Sequence, residues 1–254
     1  MPRKRTVMKG QKELLKNNST WLRAVYHFHV FHYRMPETAA IAAVTPFVPS
    51  PLTVKMAMIA SLFQLGDAKG AELLARHIHE IEVKIVPPKS AISFKAFLRY
   101  RSPPAPESGK GEIDETGSYY QSRPHMREYA IFKGNLEIYI KSAMNLKEHI
   151  EKALRNIRYL GSKDSMVTCI EISEVSEIPP ENYFVSTLNS GQPGTVVLLA
   201  DFDRSARVQD VKDLIPGNRN EKMYRKVPHT LPGKIETRGR SRLFVFNPQM
   251  HKSS

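Results

Sequence analysis

The chain holds a single cysteine, Cys169, in 254 residues. One thiol excludes an internal disulfide and a cysteine-built zinc site, and it suits a reducing cytosol. Long apolar runs are missing too. The richest stretch, Ala39 to Phe63, is broken by Pro46, Pro49, Pro51 and Lys55, well short of the roughly 20 residues that span a bilayer. Residues 11–16 read Gln-Lys-Glu-Leu-Leu-Lys, where a signal peptide would carry its apolar core. No Gly-rich phosphate loop, nucleophile elbow or acidic metal cluster is visible, which argues against a small-molecule enzyme. Acids are few: 25 Asp and Glu against 38 Lys and Arg give a net charge of +13 and an isoelectric point near 9.8. Such a surplus favours a polyanion, nucleic acid or an anionic membrane face, and charge alone does not choose. The expectation is a soluble, cytoplasmic protein without a cofactor.

The stretch from Thr45 to Phe63 organises the rest. Three prolines stiffen its loop. Ser50 is a natural N-cap, and Pro51 follows at the first helical position, where no amide donor is needed. Val54, Ala57/Met58, Ser61/Leu62 and Leu65 recur at helical spacing, so that face packs and Lys55 is expected to point elsewhere. Upstream, the aromatic, alternating run Val25 to Tyr33 reads as a strand. A strand, a rigid loop with Ser50, Thr53 and Lys55 at a helix N-terminus, and a buried helix make a place to hold phosphate.

Along the chain, residues 1–20 form a basic arm, read either as a solvated terminus or as a contact to nucleic acid. The first strand, 22–33, sets Val25, His27, His29 and Phe31 on one face and Tyr26, Phe28, Val30 and His32 on the other. No carboxylate or cysteine nearby completes a metal set with the histidines. Base stacking on a sheet face and plain core packing both remain open for them. A short helix is predicted at 71–79, strands at 82–86 and 92–101, and a Pro/Gly-rich insertion at 102–124. A strand follows at 128–141. A helix capped by Asn145 comes next, with Leu146, Ile150, Ala153/Leu154 and Ile157 inward and Gly161 as its stop. Strand 166–172 then buries Cys169.

This order is βαββαβ, an α+β, ferredoxin-like (RRM/RAMP) base over 21–178 with a long thumb insertion at about 102–124. Residues 179–254 form a β-rich, basic C-terminal extension with strands expected at 194–200, 222–227 and 242–246. Its segment 204–242 carries eleven Lys and Arg against four acids. That excess is either a solvated face or a nucleic-acid contact.

These residues carry a resemblance. The loop Pro46-x-x-Pro-Ser-Pro-x-Thr-Val54, the Gly/Pro-rich insertion, Arg127-Glu128-Tyr129 opening a strand, and Tyr159-Leu160-Gly161 before Ser165-Met-Val resemble the Cas-five family. These are RAMP subunits of type I CRISPR effector (Cascade) complexes. The match runs from about Leu22 to Ile172. It departs where the family has a glycine after Thr-Val, since Lys55-Met56-Ala57 stands here. The resemblance implies a subunit that grips the 5′ handle of the CRISPR RNA with its thumb. It also implies partners: a repeated backbone subunit, the large subunit, and target DNA reached through the complex, with no membrane. Physically, such a handle needs cations for phosphate and aromatic faces for bases. The RNA-binding residues expected are Ser50, Thr53, Lys55, Arg99, Arg101, Tyr119, Tyr120, Arg123, Arg127 and Lys133. One branch of the family cuts precursor RNA without metal, which needs a base, an acid and a cation. Tyr26, His27, His29 and His125 are the catalytic candidates for that alternative, but the branch's Lys-His pair has no counterpart in the insertion. A generic ferredoxin-like RNA binder of ribosomal type is the other alternative, weakened by the lack of an RNP octapeptide.

Overall fold

The structure is a computed structural model that describes residues 20–33, 42–102, 121–188, 191–203, 205–214 and 223–249. Strand β1 (Thr20–Phe28) alternates as its sequence demands. Leu22, Ala24, Tyr26 and Phe28 turn into the core and are at most 3% exposed. With β3 (Glu82–Val86), β6 (Leu136–Ser142) and β7 (Val167–Val175) it forms an antiparallel sheet in the order β3-β6-β1-β7. Ala24 lies opposite Ile138 on one side and Ile172 on the other. Helices α1 (Pro51–Gln64) and α3 (Lys147–Arg155) share that core, and α1 also packs on α2 (Ala68–Arg76). The Tyr26 hydroxyl donates to the Leu154 carbonyl at 2.6 Å, tying β1 to α3. Tyr26 is therefore a core residue, with its phenol pushed well above its usual range by burial. It is out of reach as an acid or base for RNA.

The alternation predicted to run to Tyr33 stops at Phe28. The chain bends at His29 and Val30, so Phe31 and His32 are both buried. Phe31 exchanges two 2.8 Å backbone hydrogen bonds with Ala130 and packs among Phe28 and Phe132. The His32 Nδ1–H donates to the Glu128 carbonyl at 2.8 Å. Only His27 and His29 face outward.

A second sheet has the order β11-β12-β4-β5-β2. Its centre is the hairpin of β4 (Ser90–Ser102) and β5 (Gln121–Lys133), paired without a break from Ser90 opposite Lys133 to Ser102 opposite Gln121. Residues 121–124, expected in the insertion, thus belong to β5. The expected strand 128–141 is two strands, β5 and β6, joined by a turn at 134–135. The short β2 (Ala42–Ala43) runs parallel to β5. Near the C-terminus, β11 (Gly233–Arg238) pairs with β12 (Ser241–Phe246), which pairs in turn with β4. A third sheet holds β8 (Ser186–Thr187), β10 (Tyr224–Leu231) and β9 (Thr195–Phe202). Val197, Leu199 and Phe244 join the same apolar cluster as β1 and α1.

Helix ends differ from the sequence reading for local reasons. Asp67 accepts from the Gly70 amide at 2.9 Å, so α2 starts three residues earlier than expected. Asn145 does not cap α3: Met144–Leu146 forms a 3₁₀ turn, and the helix starts behind it without a side-chain cap. The predicted stripe Ile150, Ala153, Leu154 and Ile157 is buried. The helix ends at Arg155, ahead of Gly161, whose φ of +107° serves a later turn against His32. Cys169, expected buried, is only half-buried on β7.

Candidate nucleic-acid interface

The Pro-rich loop is built as its residues require. The Ser50 hydroxyl accepts from the Thr53 amide at 3.1 Å and meets the Thr53 hydroxyl at 2.9 Å. Ser50 is fully buried, so its oxygen is spent on the helix and does not face a ligand. Thr53 is half-buried beside it. Lys55 does not point outward. It is 2% exposed, its Nζ donates to Asp201 Oδ1 at 2.8 Å, and it lies 5.9 Å from the Phe202 ring. The β9 strand covers the α1 face that carries it, and the chain as read up to Ile172 gave no hint of that cover.

The loop is also held from the C-terminus. Glu128, 1% exposed, receives Arg242 Nε at 2.9 Å and Nη2 at 2.6 Å. Arg242 Nη2 further donates to the Thr45 carbonyl at 2.6 Å, and the Thr45 amide donates to Glu128 Oε2 at 2.6 Å. Ser93 Oγ donates to Glu128 Oε1 at 2.7 Å. The guanidinium lies 4.8 Å from the Phe47 ring. Phe47 is fully buried at φ +64°, a left-handed conformation costly for a side-chain-bearing residue. This clasp over-determines the loop and keeps the strained residue in place.

The outer face of the β1 sheet is largely occupied. Arg23 donates to Glu137 at 2.9 Å and to Glu171 at 3.1 Å, so its charge is matched. The bond from Arg23 holds the Glu137 carboxyl below its usual value. Burial, with the bond to Glu137, pushes Tyr139 up to about 12. Phe184 packs edge-on to Tyr139 at 5.4 Å and covers that part of the face. What stays open is Ile170 on β7 and the strand end, where His27 and His29 meet edge-to-face at 5.2 Å and His29 Nε2 is hydrogen-bonded to Thr168 Oγ1 at 3.1 Å. Tyr26 and Phe28 offer no stacking surface there, because both point inward.

The two hairpin strands carry six cations. Strand β4 carries Lys95, Arg99 and Arg101, and β5 carries Arg123, Arg127 and Lys133, with the buried Glu128 as the only acid within the two strands. Arg99 lies opposite Pro124, Tyr100 opposite Arg123 and Leu98 opposite His125. Lys133 is exposed. Arg127 is ion-paired with Asp164, which also accepts from the Tyr129 hydroxyl at 3.2 Å. Tyr119 and Tyr120 lie outside the described residues.

The sequence is 23% identical over 209 residues to the CRISPR-associated protein Cas5 of Archaeoglobus fulgidus, covering 75% of this chain and 83% of that one. This likeness supports the Cas-five resemblance carried by the residues of the Pro-rich loop. No family model matches it. Among solved structures, a CRISPR protein from Archaeoglobus fulgidus has a TM-score of 0.44 at 13% identity, over 90% of this chain and 92% of that one. A chain of a CRISPR RNA-guided surveillance complex gives the same TM-score and identity over 83% and 88%.

Sequence reasoning passed over Asp201, Glu128, Arg242 and His229. Arg242 was counted in a basic run and Glu128 within the Arg-Glu-Tyr motif, but partnership across 114 residues leaves no local trace. Among the described residues no three His, Cys, Asp or Glu side chains converge as metal ligands. No described helix is long and apolar enough to cross a membrane.

Proposed function

We propose that this chain is a Cas5-type protein, the CRISPR RNA-binding subunit of a type I interference complex. In this reading the β3-β6-β1-β7 sheet with α1 and α3 is a ferredoxin-like base, the β4–β5 hairpin is the root of the thumb, and the thumb grips the 5′ handle. Its neighbours are the repeated backbone subunit and the large subunit, and target DNA is met through the assembly. One observation carries the reading: Lys95, Arg99, Arg101, Arg123 and Lys133, besides the ion-paired Arg127, stand against one buried acid on two paired strands. A ladder of that charge neutralises a phosphate backbone and releases counterions. The sheet face used by other RNA readers is largely taken here, which favours the hairpin.

Fluorescence anisotropy with a single-stranded CRISPR repeat RNA between 50 and 200 mM salt tests it. Each phosphate contact on a single strand adds about 0.7 to the slope of log affinity against log salt. Replacing Arg99 and Arg101 by alanine is expected to lower that slope by about 1.4. A slope unchanged by both replacements, or an affinity indifferent to salt, would overturn the reading.

A further inference from the structure

A cavity of about 350 Å³ opens between the outer edge of β3 and the third sheet, beneath the first turn of α1. Pro51, Val83 and Leu199 give it apolar walls, and Thr187, Asp201 and His229 line it with polar groups. Pro51, the first residue of α1, closes one wall, and no residue of the β4–β5 hairpin lines the cavity. The volume falls in the range of small-molecule sites.

His229 is 8% exposed, and its Nδ1–H donates to the Val227 carbonyl at 2.7 Å. A carbonyl only accepts, so this bond fixes the tautomer and leaves Nε2 as an acceptor. Nε2 has no hydrogen-bond partner among the described residues and is not sealed from solvent. Burial holds this imidazole below its usual range, which keeps the lone pair free near neutral pH. Thr187 stands directly opposite on the ladder. At the other end, Asp201 Oδ1 is taken by Lys55 and by the Phe202 amide, leaving Oδ2 open. Asp201 pairs with Arg225 and His229 with Val197, four ladder positions apart, or about 13 Å along the strands. The charges of Lys55 and Lys84 are matched by Asp201 and Glu181, and Glu82 remains as a further carboxylate. Phosphate is repelled from such a lining. A flat, donor-bearing, uncharged group is not.

The geometry points to a site for one unstacked nucleoside of the bound RNA, with a base amino group at His229 Nε2 and a ribose hydroxyl at Asp201 Oδ2. Length, apolar walls and acceptors at both ends match that ligand, and its phosphates stay outside. Cytosine carries an exocyclic amino group where uracil carries a carbonyl, so the site selects C over U. The 2′-hydroxyl favours RNA over DNA. This inference rests on the RNA-binding reading above.

The test is competition binding to the full chain by nine-residue oligocytidylate and oligouridylate RNAs. Thr187→Trp fills the cavity from an exposed position. His229→Asn keeps a donor for the Val227 carbonyl and removes Nε2. The unmodified protein is expected to prefer oligocytidylate about tenfold. Both variants are expected to lose the preference with the salt slope unchanged. Salt-dependent binding without a preference, or a preference that survives Thr187→Trp, overturns this site and leaves the hairpin reading standing. Failure of the unmodified chain to bind RNA overturns both.

Discussion

Removing the Arg242 guanidinium tests the clasp that ties the C-terminal strand to the Pro-rich loop. Arg242→Ala leaves the Glu128 carboxylate in a site where it is 1% exposed, with only the Ser93 hydroxyl and the Thr45 amide for company. Breaking a buried pair from one side costs about 3–5 kcal/mol. The Arg242 side chain is 20% exposed, so water reaches that position and about 3 kcal/mol is expected. At roughly 2–4 °C per kcal/mol for a chain of this size, the melting midpoint falls by about 6–12 °C. A Glu128→Gln background separates charge from packing: there the same Arg242→Ala change costs about 1 kcal/mol, because no charge is stranded. Acid offers a second readout. Burial raises the Glu128 pKa, but the bonds from Arg242, Ser93 and Thr45 outweigh it and leave it below the ordinary 4.5. A carboxyl depressed in the folded state stabilises above its unfolded pKa and loses that contribution as pH falls through the folded one. The gap between Arg242→Ala and the unmodified chain therefore narrows below pH 4.5. Equal costs in both backgrounds, or a gap that does not change in acid, would refute the ion-pair account.

Lys55→Ala is expected to lower stability by about 2 kcal/mol, less than a fully buried pair because Asp201 is partly exposed, and to leave the RNA salt slope alone. A lost slope with an unchanged melting curve would return Lys55 to the ligand. Alanine at both His27 and His29 is expected to weaken RNA binding only, and the unmodified chain is expected not to cut a CRISPR repeat RNA in chelator. Cutting at one site in chelator that disappears in either single variant would make the protein the processing nuclease. At Gly233, φ is +142° and an added Cβ would lie 2.2 Å from the Val245 carbonyl oxygen. Gly233→Ala should therefore cost about 2–3 kcal/mol by parting β11 from β12, and a melting point that stays put would show the turn yields freely.

Elements with a local cause were legible in the amino-acid sequence. Ser50 and Pro51 start α1 as read, and the stripe Ile150, Ala153, Leu154 and Ile157 is buried as its spacing requires. The cations at Arg99, Arg101, Arg123 and Arg127 could be counted, though not that thirteen-residue strands would align them. Illegible were the features made by distant partners. Lys55 read as outward because its cover, β9, lies about 140 residues on. The strand rhythm failed at His29 because Phe31 is captured by Ala130 rather than by β6 or β7. Ser50 carried a capping signal and a ligand signal in one hydroxyl, and the cap took it.

The pairing of β12 with β4 has a consequence for how the chain is made. Phe244 meets Ala91 across about 150 residues. At ribosomal speeds of roughly 5–20 residues per second, β4 waits about 8–30 s after emerging before its neighbour exists. During that interval one edge of the hairpin sheet is bare, with Ile92 and Phe94 beside it. An uncovered edge of that kind invites pairing with another nascent copy. Slow translation or a stalled C-terminus would then show up as aggregation of chains whose hairpin has formed but whose β12 has not.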